Sequence, residues 1–133
     1  MKSQRRLARE KACIAVYQNL LVEATLDEMI KYILDDSKLN EDEEALNYAK
    51  SIIDQVLENK EQYQTEIEKH IKTGWSWDRL GFMEKAVLLV GCAEMLDLEL
   101  DKKIVINEAV NLSKKYCSED SYKLINGILG AII

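Results

Sequence analysis

The chain has 133 residues, 47% hydrophobic and 32% charged, with a formal net charge of −6. A chain of this length buries about two-thirds of its unfolded surface as one domain, so no disulfide or structural metal is needed to hold a core, and the composition lies outside the disordered regime. No apolar run approaches the ~20 residues of a membrane-spanning helix, and the N-terminus lacks the apolar stretch and small-residue cleavage site of a signal peptide.

The charge is unevenly spread. Residues 1–11 hold Lys2, Arg5, Arg6, Arg9 and Lys11 against Glu10, a net of +4, so the other 122 residues carry −10. Three of the four arginines lie in this segment. Arginine grips phosphate through a planar fork, where lysine acts as a point charge. The spacing predicts a first helix over about Gln4–Leu21. At about 100° per residue, Arg5, Arg9 and Arg6 fall near 0°, 40° and 100°, and Lys2 near 60° if the helix extends that far. Two readings stand: a polyanion site on one helix quadrant, or charges that merely solvate the helix end. Cations at a helix N-terminus oppose the macrodipole, a conflict that a bound anion relieves. Leu7, Ile14 and Leu21 recur every seven residues as the expected inward stripe, flanked by Ala8, Ala12 and Ala15.

Thr25-x-x-Glu28 reads as a capping box opening a second helix, whose Leu26, Met29, Ile30 and Ile33 face inward. Asp35–Asn40 reads as a polar loop. An EF-hand starting at Asp35 fails, because Leu39 and Asn40 stand where a ligand and glycine are needed. Asn40-x-x-Glu43, with acids at 41–44, predicts the next N-terminus. Leu46, Ala49, Ile52, Ile53, Val56 and Leu57 continue a helical stripe. A break near Asn59 then lets Tyr63, Ile67 and Ile71 start a new face. Lys72-Thr73-Gly74 reads as a stop. Trp75 and Trp77 read as core anchors of the connection rather than a base-stacking platform.

A longer apolar helix follows over Phe82–Leu96, in which Gly91 marks a close helix approach. Residues 97–103 form a polar connector. The last two helices are expected at about Ile104–Tyr116 and Glu119–Ala131, with Gly127 admitting a neighbour. The pattern is helical throughout, which predicts an all-α fold of about seven helices and no sheet.

Enzymatic and metal chemistry find no support. Cys13, Cys92 and Cys117 form no C-x-x-C pair and read as small buried hydrophobes in a reducing cytosol. His70, the single histidine, sits in a pattern with Ile67 and Ile71 and reads as packing or solvent-edge. No H-E-x-x-H, Walker loop or G-x-S-x-G occurs, and no cofactor is implied.

The most specific stretch is residues 104–129, IVINEAVNLSKKYCSEDSYKLINGIL. Its Ile106-Asn107-Glu108-Ala109-Val110 run and its Glu119-Asp120-Ser121-Tyr122-Lys123-Leu124-Ile125-Asn126-Gly127 run resemble the closing hairpin of the NusB family of transcription antitermination factors. Arg5-Arg6-x-Ala8-Arg9-Glu10-x-Ala12…Tyr17 is similar to the family's opening. Asp78-Arg79-Leu80…Glu84-Lys85-Ala86-Val87-Leu88…Glu94-Met95-Leu96 is similar to its middle. The chain departs from the family at Lys102-Lys103, where a proline is usual shortly before the INEA run. It departs at Leu124, where a phenylalanine is usual, and at Leu89, where an arginine is usual.

The resemblance implies a single NusB-like RNA-binding domain over residues 1–133, built as two small helical bundles set across one another. It implies a cytoplasmic, non-enzymatic factor that binds boxA-type single-stranded RNA in nascent ribosomal transcripts. It would act with NusE, a small-subunit ribosomal protein, and help RNA polymerase read through terminators. Residue by residue, it assigns RNA contacts to the basic segment (Lys2, Arg5, Arg6, Arg9) and to Asp120, Tyr122, Lys123 and Leu124. It assigns NusE-facing positions to Tyr17, Asp78 and Glu84. The competing readings are a helical protein–protein adaptor, or a homodimer in which the RNA surface is masked.

Overall fold

A computed structural model describes residues 4–132. Among the described residues there are seven α-helices and no strand: α1 (Arg5–Val22), α2 (Leu26–Leu34), α3 (Ser37–Asn40), α4 (Glu43–Glu68), α5 (Phe82–Cys92), α6 (Lys102–Tyr116) and α7 (Ser121–Ala131). A single 3-10 turn, Trp77–Arg79, precedes α5, and a π-helical turn, Ala93–Asp97, extends it. In the N-terminal group α1 packs on α2 and α4; in the C-terminal group α6 and α7 pair on α5. Helix α5 also contacts α1 and α4, so it joins the two groups.

The core face of α1 differs from the predicted heptad. Leu7 and Ile14 are half-buried and Leu21 is exposed, whereas Ala8, Ala12, Cys13, Ala15 and Val16 are fully buried. The reason is steric. Helix α1 is hemmed in by α2, α4 and α5, and small side chains allow their axes to approach it closely.

The Thr25 capping box forms as predicted: Thr25 Oγ1 accepts from the Glu28 N–H (3.2 Å) and Glu28 Oε1 from the Thr25 N–H (2.9 Å). In α2 Met29 and Ile33 are buried, Ile30 is half-buried and Leu26 is exposed. The predicted 35–40 loop is instead the short helix α3, because Asp36 Oδ1 caps it by accepting from the N–H groups of Lys38 (3.0 Å) and Leu39 (3.1 Å). Asp42, not Asn40, caps α4 through the Ala45 N–H (3.1 Å). The break near Asn59 is a kink within α4, with Asn59 at φ −117° and ψ 17°; Tyr63 and Ile67 beyond it are buried.

Two expectations about glycine separate. A Cβ on Gly91 would lie 2.9 Å from Leu129 Cδ1, so α5 and α7 do meet there with no room for a side chain. A Cβ on Gly127 would meet nothing within 4 Å, so no neighbour approaches it. The three cysteines are free thiols, two buried and one half-buried. Burial pushes Cys92 up to about 12 and Cys117 up to about 11, so neither is a thiolate near neutral pH.

Candidate nucleic-acid interface

Arg9 does not share an exposed quadrant with Arg5 and Arg6. It is 5% exposed and faces inward. Its guanidinium donates from Nε to Glu94 (2.8 Å), with Nη2 2.7 Å from the same carboxylate, and from Nη1 to Glu108 Oε1 (3.0 Å). Glu94 lies on the π-helical turn and is 1% exposed. Tyr48, on α4, donates its hydroxyl to the same Glu94 carboxylate. Burial opposes the charge on Arg9, but the Glu94 hydrogen bond and the neighbouring negative charges outweigh it and hold the guanidinium protonated. Burial and Glu94 together push the Tyr48 phenol up, so it remains a donor.

Arg9, Glu94, Glu108 and Tyr48 therefore tie α1 to α4, to the end of α5 and to α6. Glu94 lies within the π-helical turn, where an extra residue is fitted into the helix and the Leu98 N–H bonds back to Ala93 O at 2.9 Å.

Arg5 and Arg6 emerge from this cluster onto the surface. Arg6 Nε donates to Glu108 Oε1 (3.0 Å), yet its side chain is 79% exposed. The Arg5 guanidinium sits 4.6 Å from the centre of the Tyr48 ring. Both cations are thus oriented by groups that the buried Arg9 network also holds. Lys2 lies outside the described residues.

The basic surface continues across α6. Lys115 Nζ lies 2.7 Å from Glu10 Oε2 on α1, and the Tyr116 hydroxyl donates to the same carboxylate. Burial would raise the Glu10 pKa, but Lys115 and Tyr116 hold it below its ordinary value, so the bridge is intact at neutral pH. Lys114 Nζ lies 4.7 Å, and Lys123 Nζ 6.0 Å, from the centre of the Tyr122 ring. Lys123 is 3.8 Å from Asp120, itself exposed at the start of α7. Leu124 is half-buried. Arg6, Glu10 and Lys115 line one shallow pocket, and Lys114, Tyr122 and Lys123 form a separate group of cations about an aromatic ring.

The positions expected to face a protein partner are arranged differently. Tyr17 is half-buried against the core, and Asp78 is exposed on the 3-10 turn. Glu84 is committed internally. Its Oε1 accepts from the Gly81 N–H (2.8 Å) and caps α5, and its Oε2 accepts from the Ser121 hydroxyl of α7.

The model of the NusB family matches residues 6–133. The chain belongs to the NusB family. It is 35% identical over 129 residues to the transcription antitermination protein NusB of Aquifex aeolicus, an alignment covering 96% of this chain and 86% of that one. It is 40% identical over 100 residues to the NusB of a Sulfurovum strain, covering 75% of each. Among solved structures, it superposes with TM-score 0.87 and 33% identity on a chain from a crystal structure of antitermination factors NusB and NusE in complex with double-stranded RNA, covering 99% of this chain and 97% of that chain. NusB of T. maritima superposes with TM-score 0.86 at 26% identity.

Motif reading alone misses Glu94, Glu108 and Tyr48 as positioning residues. One signal was present. Glu94 is an acid in an otherwise apolar helical run, and a buried charge requires a partner, which only a cation from another helix supplies.

Proposed function

We propose that this NusB-family chain is a cytoplasmic, non-enzymatic antitermination factor, and that residues 1–133 act as one unit that binds boxA-type single-stranded RNA together with NusE. The observation that supports it most is the presentation of Arg5 and Arg6. Both are steered onto an exposed face by a buried network that spans four elements. Solvated helix-end charges need no such support. Among the described residues no three His, Cys, Asp or Glu gather to hold a metal, and no helix is long and apolar enough to cross a membrane. The strongly acidic remainder suits a basic ribosomal protein and disfavours indiscriminate RNA coating.

Phosphate contacts are assigned to Arg5, Arg6, Lys115 and Lys123, and base contacts to the Asp120–Leu124 segment. Arg9 becomes a positioning residue. The test is RNA binding with and without NusE, using a boxA-type single strand and the corresponding duplex across a salt series. Arg5→Ala with Arg6→Ala is expected to weaken single-strand binding about 10- to 100-fold, which is about 1.4–2.8 kcal/mol for the pair. The log–log salt slope should become shallower by about 1.4, from ~0.7 per phosphate neutralised. Unchanged affinity and slope would return both arginines to the role of solvated charges and favour the adaptor reading.

Tyr17, Asp78 and Glu84 are assigned to the NusE contact, Glu84 being also the acid that caps α5. Asp78→Lys is the cleaner probe, because Glu84 also caps α5. It is expected to slow NusE association several-fold at low salt and little at high salt, since rim charges act on the encounter rate. Stopped-flow association that is insensitive to Asp78→Lys at every ionic strength removes this acid from the interface.

A further inference from the structure

We infer that the groove between the 69–81 connector and α7 is a binding site for one unpaired RNA base, stacked on Trp75. This rests on the RNA-binding reading above and extends it to a specific residue. The groove encloses about 510 Å³, within the usual range for small-ligand pockets. Leu124 and Ile128 contribute apolar surface, Trp75 an aromatic one, and Lys72, Arg79 and Lys123 the cations.

The two tryptophans take opposite fates. Ser76 between them is extended, at φ −147° and ψ 163°, which alone would set positions 75 and 77 on one face, but the chain turns on both sides of it, at Gly74 and in the 3-10 turn that begins at Trp77. Trp77 turns into the core and is 7% exposed, whereas Trp75 remains 54% exposed. Its position is nonetheless defined. Gly74 takes φ +93°, a conformation costly to other residues, and the Trp75 N–H closes the turn onto Lys72 O (3.0 Å). Arg79 Nη1 donates to Gly74 O (2.8 Å), and its guanidinium lies 5.6 Å from the centre of the Trp75 ring.

The chemistry of the groove selects a base. A nucleobase offers a flat apolar face for the indole and a phosphate on either side for the cations. The two acids of the lining compete little. Glu84 already accepts from Gly81 and Ser121, and Asp120 faces Lys123. The groove also includes Asp120, Lys123 and Leu124, which belong to the segment assigned to base contacts above. An RNA strand held at that segment has Trp75 within the same groove.

Binding of a boxA-type RNA, with NusE present, tests this in two ways. In the first, Trp75→Ala should weaken binding about 5- to 150-fold, from ~1–3 kcal/mol per stacked base, with the salt slope unchanged. Trp75→Phe should restore most of the loss. In the second, the wild-type protein is titrated with RNAs that each carry a single abasic position. One position should reproduce the loss, and Trp75→Ala should add nothing further at that position. Wild-type affinity in Trp75→Ala, or a loss equal across all the abasic RNAs, overturns the inference. So does an undiminished RNA affinity accompanied by weakened NusE binding, which would make the groove a protein contact. If Arg5→Ala/Arg6→Ala loses RNA while Trp75→Ala does not, the RNA reading stands and the stacking site alone fails. Absence of RNA binding by the wild-type protein removes both.

Discussion

Glu94→Ala is expected to destabilise the protein by about 3–5 kcal/mol, the usual cost of removing one partner from a buried ion pair. The loss arises on the groups left behind. Arg9, 5% exposed, would keep only Glu108 for its charge, and the Tyr48 hydroxyl would lose its acceptor. A drop of this size corresponds to a fall in thermal midpoint of roughly 10–20 °C for a chain of this length. Urea unfolding followed by helical circular dichroism measures it directly. Replacing the pair by apolar residues, Arg9→Met with Glu94→Leu, should recover much of the loss, because two desolvated charges are removed together. If Glu94→Ala costs less than about 1 kcal/mol, the cluster does not hold α1 against α5 and α6. Arg5 and Arg6 are then not oriented by this cluster.

The second large effect is expected at the contact between α5 and α7. Gly91→Val should cost about 3 kcal/mol, at the upper end of the ~1–3 kcal/mol typical of overpacking. A single Cβ already lies 2.9 Å from Leu129 Cδ1, and Leu129 is fully buried and cannot move into solvent. Gly91→Ala should cost less, since the gain in helix propensity, about 1 kcal/mol, offsets part of the clash. The diagnostic is non-additivity. Leu129→Ala alone should cost about 2–5 kcal/mol through the cavity it leaves. Gly91→Val with Leu129→Ala should cost clearly less than the two separately, because each relieves the defect of the other. Additive losses would place the strain of Gly91→Val elsewhere than at Leu129. The same contact matters for the proposed base site, because α7 forms one wall of the groove and rests on α5 here.

Much of this molecule was legible in its residues. The helical periodicity, the absence of proline and the Thr25 capping box are local signals, and local signals survive folding. The capping box is made within three residues of itself, and Gly91 marked a close approach because an interior glycine is disfavoured unless something requires the space. The family resemblance was carried by motifs at the two ends and the middle of the chain, and the family assignment agrees with it.

What the sequence by itself determined is the all-helical class and most of its helices, though not α3, together with the charge asymmetry and the family. What only the tertiary structure decided is which way each polar side chain faces. Arg5, Arg6 and Arg9 fall in one quadrant of an isolated helix, but α1 is enclosed on several sides, and Glu94 and Glu108 come from 85 and 99 residues beyond Arg9. Helical spacing cannot foretell a partner at that separation, so the division into two surface arginines and one buried one appears only on folding. Glu84 likewise reads as a rim acid until α7 brings Ser121 to it. Trp75 and Trp77 look equivalent on the page. Trp77 opens the 3-10 turn and is buried, whereas Trp75 closes a tight turn on Lys72 and stays exposed, because which side of this connector has a core to fill is settled only by the packing of the other helices.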